Sequence, residues 1–217
     1  MARGKFITFE GGEGAGKSTQ VRRLAEHLRA LGLDVVVTRE PGGSPSAEAI
    51  RGLLLSGRVR ALGTLGEAYL FAAARMDHIA ETIEPALERG AWVICDRFAD
   101  STRVYQGAAD GLDVEIVDDL ERIAVGNCRP DLTIVIDLPV DVGLARVAGR
   151  SGNGTGDRFE AEAVAVHEAR RQGFLGVAAA NPDRCVVIDG AREADAVTSD
   201  IAALVTGRFG LAIGGRA

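Results

Sequence analysis

"FEGGEGAGKSTQ", residues 9–20, is entered through the apolar run Phe6-Ile7-Thr8-Phe9 and leaves into a segment whose apolar residues Val21, Leu24, Ala25, Leu28 and Leu31 recur at helical spacing. Gly11, four intervening residues, then Gly16, Lys17 and Ser18 have the spacing of a phosphate-binding loop. Its glycines let successive backbone N–H groups point into one hollow that holds nucleotide phosphates. Lys17 would reach the outer phosphates, and the Ser18 hydroxyl would ligate Mg²⁺. The strand-loop-helix setting is the one this chemistry requires.

Outward from the loop, short apolar runs alternate with helix-period segments. Phe6 to Glu10, Asp34 to Thr38, Trp92 to Asp96, Leu132 to Asp137 and Cys185 to Asp189 read as buried strands without a strict period of two. Helical patterns fall near 17–31, 46–56, 65–89, 113–126, 141–149, 160–180 and 193–206. The expectation is an α/β fold: a five-stranded parallel sheet with helices on both faces and ligands beyond the carboxyl ends of the strands. One domain is expected over residues 1–217, with a glycine-rich basic lid at about 146–160 and a frayed tail at about 207–217.

Composition narrows the function. With 47% hydrophobic and 26% charged residues the chain is ordinary for a globular protein, and no apolar stretch approaches the length of a membrane span. The N-terminus enters its strand without a signal-peptide pattern, so a cytoplasmic location is expected. Cys95, Cys128 and Cys185 are far apart and lack metal-ligand spacing, which suggests buried thiols. A net charge of −6 argues against a general affinity for nucleic acid. A GTPase would need a guanine-reading Asn-Lys-x-Asp, and Lys5 and Lys17 are the only lysines in the chain. ATPases that position other proteins carry a second lysine before the double glycine, where this chain has Glu10.

Further stretches point to a small kinase. "TREPGG" (38–43) follows the second strand, "YLFAAAR" (69–75) lies on the long helix, "DRFADSTRVYQG" (96–107) follows the third strand, and "RPDLTIVIDLP" (129–139) and "DRFE" (157–160) come later. With the loop, this ordered set resembles the thymidylate kinase family over essentially the whole chain. The resemblance implies a P-loop kinase fold with a short lid, transfer of the ATP γ-phosphate to dTMP to give dTDP for dTTP synthesis, Mg²⁺ as cofactor, and a homodimer. A nucleoside monophosphate kinase of other base preference, or an ATP-dependent partner switch on the same fold, remain the alternatives.

The resemblance also implies roles by position. Gly11, Gly12, Glu13, Gly14, Ala15, Gly16, Lys17, Ser18 and Thr19, with Arg146, would contact ATP. Phe71 and Arg75 are four apart and so share a helix face; Phe71 would stack on thymine and Arg75 donate to its O4. Arg97 would clamp the 5′-phosphate of dTMP, with Arg39 a second phosphate contact in the loop after strand two and Thr102 a further substrate contact. Glu13 would accept a bond from the sugar 3′-hydroxyl, and Tyr105 would fill the space of a ribose 2′-hydroxyl. Asp96, Asp137 and Asp189 all end apolar strands, so the choice of Asp96 as the magnesium aspartate rests on the family alone. The loop positions Gly12, Glu13, Gly14 and Ala15 include no arginine, whereas Arg146, Arg150 and Arg158 lie in or beside the lid. This resembles the branch whose catalytic arginine comes from the lid, with Arg158 at the matching position. Arg103 stands where a glutamine is more usual in the family.

Overall fold

Five apolar runs form the strands β1 (Phe6–Glu10), β2 (Val35–Arg39), β3 (Trp92–Asp96), β4 (Leu132–Asp137) and β5 (Cys185–Asp189), all parallel and ordered β2-β3-β1-β4-β5. The computed structural model describes residues 2–150 and 163–211. Inner strands β3, β1 and β4 are buried on both faces, which is why their sequences lack alternation; edge strands β2 and β5 start buried and then alternate between half-buried and exposed positions.

The helices are α1 (Lys17–Ala30), α2 (Pro45–Leu55), α3 (Gly63–His78), α4 (Glu84–Glu88), α5 (Ala99–Thr102), α6 (Val114–Val125), α7 (Val140–Arg150), α8 (Val164–Ala180) and α9 (Ala194–Phe209). On one face Ile7 and Phe9 pack with Val21, Leu24 and Leu28 of α1 and with Val197, Ile201 and Val205 of α9. On the other, Phe6, Val93 and Cys95 meet Ile83, Leu87 and Phe98, while Val135 meets Val104, Tyr105 and Phe174. Each large side chain taken out of water here contributes roughly 1.5–3 kcal/mol. The sheet is therefore a stiff platform for the loops at its carboxyl edge.

The structure departs from the sequence pattern in four places. β2 runs one residue later than expected, because Arg39 pairs in register with Asp96; Arg39 is the last residue of the strand and not part of the following loop. The single helix expected over 65–89 is divided into α3, a π-helical turn (Ile79–Ile83) and α4, and a 3₁₀ turn (Arg58–Leu62) precedes it. Pro85 has no N–H to give to the carbonyl four residues back, and the wider turn just before α4 absorbs that break. A second π-helical segment, Arg103–Ala109, follows α5 where no helix was expected. Finally, α9 runs through Phe209, whose ring stands edge-on to Trp92 at 5.1 Å, so residues 207–209 of the expected tail are packed helix.

Residues 151–162, which hold most of the expected lid and Arg158, lie outside the described residues, as do 212–217. The three cysteines are free and buried, and burial pushes the Cys185 thiol up to about 11 and that of Cys128 up to about 12.

Candidate active site

The loop between β1 and α1 has the backbone its glycines permit. Gly14 has φ of +71°, and a Cβ on it would stand 2.1 Å from the Gly143 carbonyl oxygen of α7, so a side chain is excluded both by conformation and by space. Gly16, at φ +92°, caps α1. Lys17 is buried, and its ammonium donates to the Gly11 and Gly12 carbonyls at 3.0 and 2.8 Å. Burial, followed by the charge of Arg97, lowers it to about 8, with Glu13, Asp96 and Glu10 acting in the opposite direction. The Ser18 hydroxyl donates to Asp96 Oδ2 at 2.6 Å.

The other strand-end aspartates are committed elsewhere. Asp137 is held by both arms of Arg171 at 2.7 and 2.9 Å, and Asp189 accepts the Ala191 N–H. Among the three, Asp96 is the one that meets the phosphate loop. Ser18 and Asp96 offer hard oxygen donors. Among the described residues no group of three or more His, Cys, Asp or Glu could hold a metal. A hydroxyl, one carboxylate and substrate phosphates suit Mg²⁺, which keeps much of its own water.

Arg97 follows Asp96 with φ of +69°, the one positive value among the described residues other than glycine. Its guanidinium donates to the Gly11 carbonyl at 3.2 Å, to Ser101 Oγ at 3.3 Å and to Glu13 Oε1 at 2.6 Å. Tyr105 donates its hydroxyl to the same Glu13 oxygen at 2.6 Å. Burial alone would raise Glu13, but Arg97, Lys17, the Tyr105 hydroxyl and Arg170 together hold it at about 2. The guanidinium carbons of Arg97 and Arg170 lie 5.1 and 4.2 Å from the Tyr105 ring centroid.

Deeper in the same cleft Arg75, 3% exposed, donates to Glu40 Oε2 at 2.8 Å and to the Phe98 carbonyl and Thr102 Oγ1, each at 3.2 Å. His78 contacts the second Glu40 oxygen at 3.1 Å. A cavity of about 390 Å³ is lined at one end by Lys17, Ser18 and Asp96 and at the other by Phe71, Arg75 and Thr102, with Glu13, Arg97 and Tyr105 also in its wall. Gly14, Ala15, Gly16, Thr19 and Arg39 line it as well. Arg39 is paired with both oxygens of Glu48 at 3.0 and 3.1 Å. Arg146 stands apart from this wall and donates to the Gly190 carbonyl at 3.1 Å.

Several wall residues escaped the sequence reading. Glu40, within "TREPGG", is the buried partner that orients Arg75, and Arg51 reaches over to the Pro41 carbonyl at 2.7 Å. Gln106 is 1% exposed, lines the cavity, and its Nε2 has no hydrogen-bond partner among the described residues. A polar residue directly after Tyr105 was the available signal. Arg170 had none, since one arginine on α8 looks like another.

Comparisons with known proteins lead to one family. The thymidylate kinase family model matches residues 9–201. Thymidylate kinase of Nitrobacter winogradskyi is 56% identical over 199 residues, covering 92% of this chain and 86% of the relative. That of Nitrobacter hamburgensis is 52% identical over 208 residues, covering 96% and 90%. The crystal structure of thymidylate kinase from Ehrlichia chaffeensis superposes with a TM-score of 0.76 at 33% identity, over 94% of this chain and 99% of that one. A family model over most of the chain, and relatives more than half identical to it, show that this chain belongs to the thymidylate kinase family.

Proposed function

We propose that the protein transfers the γ-phosphoryl group of ATP to the 5′-phosphate of dTMP, giving dTDP. The observation that carries this reading is the continuous wall from Lys17 and the Ser18–Asp96 pair, through Glu13, Arg97 and Tyr105, to Phe71 and Arg75. A triphosphate end, a sugar-phosphate middle and a base end follow one another at the carboxyl edge of the sheet. The phosphate loop from Gly11 to Thr19, with Arg146, holds ATP. Ser18 and Asp96 would hold Mg²⁺, which would neutralise charge on the phosphates.

Arg97 grips the acceptor phosphate, with Arg39 near the mouth. Phe71 stacks on the base, while Arg75, Thr102 and the Gln106 amide present polar atoms to its edge. A donor facing thymine O4 opposes the amino group of cytosine. Glu13 accepts from the sugar 3′-hydroxyl, and Tyr105, through the hydroxyl it directs at Glu13, fills the space a ribose 2′-hydroxyl would occupy. The acceptor phosphate, with a second pKa of about 6, is already a dianion at neutral pH, so no general base is needed. Lys17 and Arg97, joined by Arg158 from the segment outside the described residues, stabilise the transferring group.

The partner-switch alternative is not favoured, since a switch has no use for a base pocket. The test is a coupled assay with ATP and each common monophosphate: dTMP should be the preferred acceptor, and preference for any other base would overturn the reading. Among the described residues no helix is long and apolar enough to cross a membrane. The reading places the enzyme in the cytoplasm with its nucleotide substrates. Leu65, Tyr69 and Met76 of α3 and Ile116 and Ile123 of α6 form exposed apolar stripes on neighbouring helices, and this surface suits a homodimer. Tyr69→Asp should then sediment as a monomer.

A further inference from the structure

Arg97 places its guanidinium from a backbone that an L-residue resists: left-handed φ, here +69°, costs about 1–2 kcal/mol without local compensation. The compensation lies beneath it. Glu10, the last residue of β1, is fully buried; its Oε1 accepts the Phe98 N–H at 2.8 Å and its Oε2 accepts the Ser101 hydroxyl at 2.7 Å. The Ser101 oxygen in turn accepts from Arg97 Nη1 at 3.3 Å. The amide that follows Arg97 and one arm of its guanidinium therefore lead to the same carboxylate. On the other side the Arg97 N–H donates to the Phe9 carbonyl at 2.9 Å, so β1 holds the turn from both ends.

The neighbouring acid has a different task. Asp100, 3% exposed, receives both arms of Arg184 at 2.7 and 2.8 Å, which ties α5 to the chain just before β5. Among the described residues Glu10 receives no such arginine fork; it accepts from an amide and a hydroxyl. Burial and then the charge of Asp100 push it up to about 7, while Arg97, Ser101 and Phe98 act against that rise. A buried carboxyl kept at such a cost is aimed at the two groups that flank the arginine.

We propose that Glu10 is a positioning residue for the phosphoryl acceptor: by holding the Phe98 amide and the Ser101 hydroxyl, it keeps Arg97 in its left-handed turn with the guanidinium directed at Glu13 and the cleft. This rests on the reading of Arg97 as the clamp on the dTMP phosphate. Glu10→Gln keeps the volume and an oxygen for the Phe98 amide but turns a donor toward Ser101. The Ser101 oxygen then accepts from the amide, and its hold on Arg97 weakens.

The experiment is steady-state kinetics on E10Q, S101A, R97A and the E10Q/R97A and S101A/R97A double variants, with ATP and dTMP varied separately. E10Q should lower kcat/KM for dTMP by about 10- to 100-fold, the scale of a small misplacement of a catalytic group, and leave ATP binding as in the parent. S101A should give a smaller loss of the same kind, and carries the test if E10Q fails to fold. In the R97A background neither substitution should cost anything further, because a residue that acts through Arg97 has nothing left to position. Losses that multiply in the double variants, or equal losses toward ATP and dTMP, would mean general support of the fold and overturn the inference. Parent-like kinetics in E10Q with a crippled R97A would overturn it while leaving the clamp intact. Parent-like kinetics in R97A would remove the clamp and this inference together.

Discussion

The hydroxyl of Tyr105 donates to Glu13 Oε1 at 2.6 Å, joining the π-helical segment to the phosphate loop across 92 residues of sequence. A carboxylate inside a phosphate-binding loop would repel its ligand if left bare. Here Arg97 meets the same oxygen and Lys17 lies close by in charge, so Glu13 stays ionised near pH 7 within a positive surround. The charge is spent on orientation: a fixed acceptor beside a fixed phenol is suited to reading a sugar.

Tyr105→Phe tests that sugar site. Loss of the hydroxyl removes one neutral donor from Glu13 and leaves the Arg97 contact in place, so kcat/KM for dTMP should fall about 3- to 10-fold, the scale of one hydrogen bond. Discrimination against the ribonucleotide with the same base should narrow at the same time. Selectivity unchanged from the parent would place the sugar elsewhere.

Lys17→Ala should abolish transfer while the protein stays folded. The ammonium is buried and shifted down to about 8, so at pH 7 it remains charged against the preference of its surroundings, and its removal relieves the fold of a desolvated cation. Turnover should drop by more than about 10²-fold, as expected for a group that stabilises charge in the transition state. Circular-dichroism melting should show no loss of stability. A variant with more than about a tenth of parental turnover would be incompatible with that role.

Arg75→Ala has two separable consequences. Selectivity for dTMP over dCMP should fall by roughly 1–3 kcal/mol, the cost of leaving a buried polar group unpaired. The substitution also strands Glu40, 6% exposed, without its guanidinium, and breaking a buried ion pair costs about 3–5 kcal/mol. Urea unfolding and paired kinetics on dTMP and dCMP distinguish the two. A stability loss with intact selectivity would leave Arg75 a structural residue and move base reading to Thr102 and Gln106.

What the sequence disclosed and what it concealed follow from the range of each interaction. The phosphate loop is legible because its left-handed glycines and its lysine are encoded within eight consecutive positions, from Gly11 to Ser18. Asp96 and Arg97 are legible as polar residues ending an apolar run. Choosing Asp96 over Asp137 required knowing that Arg171, 34 residues away, occupies Asp137. The Arg75–Glu40 pair spans 35 residues and joins two stretches that had each been read alone. The π-helical turns were invisible for another reason: widening a helix by one residue per turn leaves the apolar composition intact and merely slips its phase, which a 3.6-residue period cannot report.

The last prediction concerns pH and the same buried Glu10. Its carboxyl lies near 4.5 in the unfolded chain and is raised to about 7 in the folded one, first by burial and then by Asp100. Between those values the folded state binds a proton that the unfolded state has released, so stability falls as pH rises. The contribution is fully present below about pH 4.5 and gone above about pH 7, and amounts to on the order of 3 kcal/mol. Glu13, held at about 2, changes stability in more acid solution, and Lys17, at about 8 against 10.5 unfolded, does so in more alkaline solution, so neither masks this window. Urea unfolding of the parent and of Glu10→Gln from pH 5 to pH 7.5 reads the effect directly. The parent should lose stability relative to the variant across the range, since glutamine does not titrate. Parallel curves would mean that Glu10 is already ionised at pH 5 and that Arg97, Ser101 and the Phe98 amide outweigh its burial.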